Sequence, residues 1–188
     1  MQGKIVTPGF IDQHVHITGG GGQQGYASLV PEVTMSELVA CGTTTVLGML
    51  GTDGFAKELT TLYAKAKAID DDGLSAYMLT SYYGLPTKTL MNSVADDLIF
   101  IDKVIGCKLA MSDDRSPFPT EQEILRIIHQ VRLGGFTSGK GGILHIHLGA
   151  LPEGIEPLLN IARHYPTLIS YLLSLIHISE PTRLRRIS

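Results

Sequence analysis

The sequence predicts an α/β fold of the TIM-type (β/α)8 barrel kind, with about six of the eight strands present. Three observations carry this. Short, continuous apolar runs alternate with helical patterns, which implies a parallel sheet covered by helices. Polar and glycine-rich clusters follow the strands at residues 19–22, 51–53, 81–83 and 112–115 and at Gly149, where a β/α barrel builds its site. Histidines end two of the strands. That favours a barrel over a doubly wound sheet, although both would use the same face.

Each element has its own signal. Residues 5–6 and then 10–16 read as the first strand. Residues 34–41 read as a helix, with Thr34 as N-cap, Glu37 completing a capping box and Gly42 as the stop. Residues 43–50 are β-branched and apolar, a buried second strand. Residues 55–71 carry Leu59, Leu62, Ala66 and Ile69 at helical spacing, and Gly73 ends that helix. Residues 74–81 form a third strand, 96–104 a helix and 107–111 a fourth strand. Thr120 and Glu123 open a second capping box on a helix over 120–133. Residues 142–148 read as the fifth strand, 155–165 as a helix, and 168–172 as the start of a sixth strand.

The chain changes character after Leu172. Residues 173–183, LSLIHISEPTR, look like the translation of a common sequencing-library transposon adapter. The expected organisation is therefore a partial barrel over 1–172 and a non-native tail over 173–188, set aside from fold reasoning. His177 lies in that tail and is not counted as a ligand.

Composition narrows the function classes. Among 188 residues, 15 Lys and Arg against 18 Asp and Glu give a formal charge of −3, so no nucleic-acid footprint is expected. No apolar run reaches the ~20 residues of a membrane span. Cys41 and Cys107 provide no disulfide framework. A cytoplasmic protein without membrane or nucleic-acid partners is expected.

The motif with the most chemical content is GFIDQHVH, residues 9–16. Residues two apart on a strand point to one side, so His14 and His16 present two metal-ligating nitrogens to one point, and Asp12 shares that side. His145 and His147 form a second such pair. His147 lies nearer the C-terminal end of its strand, where a metal would sit, and His145 lies deeper. His129 and His164 fall in helical segments and are expected at the surface. Lys108, on a strand poor in polar groups, either snorkels to the rim or stays buried with a depressed pKa. Tyr83 either donates to a developing oxyanion or caps the barrel mouth. Arg115 either binds a substrate carboxylate or pairs with Asp113 or Asp114. The backbone amides of the glycine run, Gly21 among them, either cradle a carboxylate or only permit a tight loop. Residues 134–140 match the first part of a P-loop, but Gly141 replaces the required Ser or Thr and a strand follows.

GKIVTPGFIDQHVHITGGGG, PEVTMSEL, CGTTTVLGMLGTDG and GCKLAMSDDRS together resemble the amidohydrolase superfamily, and within it the isoaspartyl dipeptidases (β-aspartyl peptidases). The resemblance covers residues 3–172, about half of the family's length. It implies hydrolysis of the β-aspartyl amide bond of isoaspartyl dipeptides by a hydroxide bridging two zinc ions. Carried over, the metal ligands are His14, His16, Lys108 and His147, with Lys108 as a CO2-derived carbamate. Lys108 and Tyr83 are catalytic in this reading. Gly21, Gln23, Thr52, Tyr83 and Arg115 lie around the substrate. The family's sixth-strand histidine, a later arginine and its eighth-strand aspartate have no counterpart, so this chain alone is expected to be inactive, whereas the intact enzyme is expected to be a homo-oligomer. Gln23 stands where the family carries a Glu that meets the substrate's amino group, and Asp114 stands in place of a His. Dihydropyrimidinase-like or dihydroorotase-like cyclic amidases share the HxH pair and the carboxylated lysine, and they are the alternative reading. A truncated barrel without function is the third.

Overall fold

A computed structural model describes residues 5–22 and 24–176. Its centre is a curled sheet of six parallel strands in the order in which they occur in the chain. The strands are β1 (Phe10–Val15), β2 (Thr43–Gly48), β3 (Ser75–Ser81), β4 (Val104–Met111), β5 (Ile143–Leu148) and β6 (Leu172–Ile176). The helices are α1 (Met35–Ala40), α2 (Leu59–Asp71), α3 (Val94–Phe100), α4 (Glu121–Ser138) and α5 (Glu156–His164). Each strand connects to the next through a helix on one side of the sheet, as in an incomplete TIM-type barrel. None of the described helices is long and apolar enough to cross a membrane.

The period of two decides which side chains meet which layer. On β5, Leu144, Ile146 and Leu148 join the main core with Ile124, Ile128 and Val131 of α4 and with Leu158 and Ile161 of α5. The alternate residue Ile143 packs instead with Leu47, Met49 and Leu79 in a smaller cluster on the concave side. His145 and His147 follow Ile143 at the same spacing, so the concave side turns from apolar to polar toward the C-terminal strand ends. Burying the convex side against the helices supplies the main favourable term of folding.

Both expected capping boxes form. Thr34 accepts from the Glu37 amide on α1, and Thr120 accepts from the Glu123 amide on α4. Gly139 closes α4 in the left-handed conformation at φ 73°. Residues 134–138 thus finish a helix, which disposes of the P-loop near-match.

Several expected boundaries are corrected: residues 5–6 lie outside the first strand, which starts at Phe10, and α4, expected to end at residue 133, runs to Ser138. The helix expected from residue 55 starts at Leu59, because Thr52–Phe55 forms a separate 3-10 turn. The helix expected over 96–104 spans Val94–Phe100. It begins early because Ser93 accepts from the Asp96 amide as N-cap. It stops early because Lys140 Nζ takes up the carbonyls of Leu98, Ile101 and Val104 at 2.7, 2.5 and 3.1 Å. Freed from the helix, Val104 starts β4 three residues sooner than expected. The sixth strand begins at Leu172 and not at residue 168, because Pro166–Tyr171 winds into a 3-10 turn with Pro166 at its start. β6 runs on to Ile176, with Leu173 and Ser174 pairing with His145 and Ile146. The rest of the expected tail, residues 177–188 with His177, lies outside the described residues.

Candidate active site

β1 and the turn beyond it place His14 and His16 on the concave side, their rings edge to face with centroids 5.3 Å apart. The His16 Nδ1 lies 3.0 Å from the Met49 carbonyl. Only a protonated Nδ1 can donate to that oxygen, so Nε2 is left as a lone-pair donor at the cavity. Burial is the main cause that lowers the His16 pKa, which keeps the ring neutral. The position is tight, because a Cβ on Gly51 would stand 2.7 Å from His16 Cε1. Asp12 shares the face but sits at the exposed end of the strand, where it accepts from the His14 amide at 3.1 Å.

β4 carries Lys108 inward. The side chain is 1% exposed, so the snorkelling alternative is excluded. Burial lowers its pKa from 10.5 to about 7 because the charged form loses its hydration. The nearest side-chain partner is His145 Nδ1 at 3.3 Å. His145 is fully buried, and burial followed by the neighbouring Lys108 lowers its pKa to about 3. It is therefore a neutral imidazole below the site, stacked edge-on to His14 at 4.9 Å. Its Nε2 has no hydrogen-bond partner among the described residues. His129 and His164 are exposed, as expected.

At the other end of the cavity Asp113 collects three side chains. It accepts from the Tyr83 hydroxyl at 3.0 Å and from Arg115 Nε and Nη2 at 2.9 and 2.8 Å, and it lies 3.0 Å from His147 Nε2. The guanidinium first, and the Arg115 amide, His147 and Tyr83 after it, hold the Asp113 carboxyl far below the usual carboxylate range. The Tyr83 hydroxyl is pushed up by burial and by the Asp113 charge, so it stays protonated and remains a donor. Arg115 thus pairs with Asp113, while its third nitrogen, Nη1, makes no hydrogen bond among the described residues. Thr52 donates to the Gly21 carbonyl at 3.1 Å and ties the glycine run to the turn after β2.

These side chains share one cavity of about 510 Å³, whose wall includes His14, His16, Lys108, His147, Gly21, Thr52, Tyr83, Arg115 and Asp113. Of the residues expected at the site, Gln23 lies outside the described residues and the others meet here. Asp113, which the sequence offers only as an ion-pair partner of Arg115, also joins Tyr83 and His147 in the same wall. Among the described residues no three His, Cys, Asp or Glu side chains stand as a preassembled metal-binding group. The donor chemistry nevertheless fits a divalent metal. His16 offers a tautomer fixed by Met49, and Lys108 is held toward the neutral amine that carbamate formation requires.

No protein-family model matches the chain. Solved structures do. The crystal structure of the β-aspartyl dipeptidase from the thermophilic, keratin-degrading Fervidobacterium islandicum AW-1 superposes at a TM-score of 0.87 with 46% sequence identity over 89% of this chain. The same enzyme in complex with a β-Asp-Leu dipeptide matches at the same score and identity. The chain is a structural relative of the β-aspartyl dipeptidases. It spans about 46% of the length of the structures it matches.

Proposed function

We propose that this chain contributes the first-strand, fourth-strand and fifth-strand side of the active site of a β-aspartyl dipeptide hydrolase. The observation that carries the reading is the single cavity in which His14, His16, Lys108 and His147 face Tyr83 and Arg115. The relatives at 46% identity support a β-aspartyl substrate over a cyclic amide. In this proposal His14, His16, His147 and the Lys108 carbamate hold two zinc ions. When bound, the metals supply Lewis-acid polarisation of the scissile carbonyl and an acidified water.

The chain's own residues do the positioning. The free Nη1 edge of Arg115 takes a substrate carboxylate while Nε and Nη2 stay on Asp113, so the guanidinium is oriented before substrate arrives. Tyr83, kept protonated, donates its one proton to Asp113 in this structure; turned from Asp113 toward the substrate, the same hydroxyl would stabilise negative charge developing on the carbonyl oxygen. His145 stays neutral beneath Lys108 and adds no charge to the site.

The test is carbamate formation and metal uptake. The chain equilibrated with 13C-bicarbonate and zinc should give a carbamate carbon resonance and bound zinc, and Lys108→Ala should lose the resonance and bind less zinc. A short carboxylic acid added to the variant should partly restore zinc binding. Equal zinc stoichiometry and an unchanged carbon spectrum in Lys108→Ala would reject Lys108 as a carbamate ligand.

A further inference from the structure

Two Asp-Gly bonds occur in the sequence, Asp53-Gly54 and Asp72-Gly73. An aspartyl side chain followed by glycine can close on its own backbone, because the attacking nitrogen belongs to a residue with no Cβ to block the approach. The structure puts the two bonds in opposite surroundings.

Asp53 is 2% exposed. One carboxylate oxygen accepts from the Gly51 amide at 3.1 Å, and the other pairs with Lys57 Nζ at 2.9 Å. The Asp53 carbonyl accepts from the amides of Ala56 and Lys57 at 2.9 and 3.0 Å, and the Gly54 amide donates to the Gly51 carbonyl at 3.1 Å. Tyr82 lies so close to Gly54 that a Cβ there would stand 2.4 Å from it. All of this must open together before the Gly54 nitrogen can reach the Asp53 carboxyl carbon.

Asp72 ends α2, in the turn into β3, at the end of the sheet opposite the cavity. Asp72 and Gly73 are both exposed. Attack requires the Asp72 ψ to turn well away from its value of −4°. That releases the Gly73 amide from the Asp70 carbonyl at 2.9 Å and the Leu74 amide from the Ile69 carbonyl at 3.2 Å. Both bonds belong to a helix end, where local opening costs least and water takes over the freed groups. Gly73, at φ 99°, has nothing within 4 Å of the point where a Cβ would stand, so the turn has room to swing.

We propose that Asp72-Gly73 is a site of spontaneous isomerisation to a β-aspartyl bond, and that the fold protects Asp53-Gly54 from the same reaction. The Gly73 nitrogen attacks the side-chain carboxyl carbon of Asp72. The new N–Cγ bond closes a five-membered succinimide, and the amide proton leaves with the hydroxyl of the protonated carboxyl as water. Water then adds to the main-chain carbonyl of Asp72 and breaks its bond to the Gly73 nitrogen. The chain now runs through Cγ, and the former main-chain carbonyl is a free carboxylate. One water leaves and one enters, so the mass is unchanged.

Peptide mapping of the full chain after weeks in warm neutral buffer tests this, with electron-transfer fragmentation to tell β from α linkage and 18O-water to count passages through the ring. The β-linkage at Asp72 should accumulate at least ~10-fold faster than at Asp53, the ratio that one net hydrogen bond in the cost of opening would give. In urea the two sites should react at comparable rates. Asp72→Glu, whose ring would need six members, should lose the signal at that position. Equal rates at the two sites in native buffer, or a faster reaction at Asp53, would overturn the proposal. So would a β-linkage at Asp72 that forms in urea and not in native buffer.

Discussion

Lys108 is an ammonium side chain held almost fully out of water, 1% exposed. Its folded-state pKa of about 7 lies below the 10.5 of the free side chain, so between those values the unfolded chain holds the proton more tightly than the folded one. Stability should therefore rise with pH across that window, and the contribution should be absent below about pH 7. In metal-free, CO2-free buffer, Lys108→Met should be more stable than the wild type at pH 7 by on the order of a few kcal/mol. The gap should narrow toward pH 10, as read from urea denaturation at each pH. A gap independent of pH would show that the amine is solvated. The pairing of His14 with His16 was legible because strand alternation is a local rule. The role of Asp113 was not. Its partners are Tyr83, in the loop after β3, and His147 on β5, 30 and 34 residues away, and no spacing rule connects them.

At the scale of elements, Lys140 stands in for the missing C-cap of α3. One ammonium satisfies three carbonyls that a longer helix would have used internally. Lys140→Met should destabilise the chain by ~1–3 kcal/mol, and hydrogen exchange should accelerate first at Ile101, whose amide closes the last turn on Asp97. Uniform acceleration across β4 and α3 would mean that the cap is not local. The sequence pattern placed this helix end four residues late because the agent that stops it is 36 to 42 residues away in the chain. Where the start signal is local, as with the capping boxes of α1 and α4, the first helical residue is legible to within one position, whereas the end of α4, expected at residue 133, lies at Ser138.

For the molecule as a whole, the open sheet has physical consequences. Among the described residues β1 pairs only with β2, and β6 only with β5. Phe10 and Ile11 on the β1 edge are 67% and 66% exposed. An exposed edge of this kind templates strand pairing between chains. Concentration-dependent self-association of the chain in sedimentation velocity is expected, and Ile11→Lys should reduce it. A monomer across the concentration range, unaffected by that substitution, would contradict the edge as the contact. The barrel character and the six parallel strands were legible from the alternation of apolar runs and helices. The reach of β6 past Leu172 was not, because pairing with β5 is a long-range decision that the change in composition conceals.

The contact between Gly51 and His16 has a genetic consequence. Every single-base change in a glycine codon that does not stop translation or leave the residue silent introduces a Cβ, and here that atom would stand 2.7 Å from the imidazole. Lineages carrying this histidine therefore have no one-step path away from glycine that leaves the ring where it is. The two positions, 35 apart in the sequence, are therefore coupled: a side chain at position 51 displaces the ring from its place against the Met49 carbonyl.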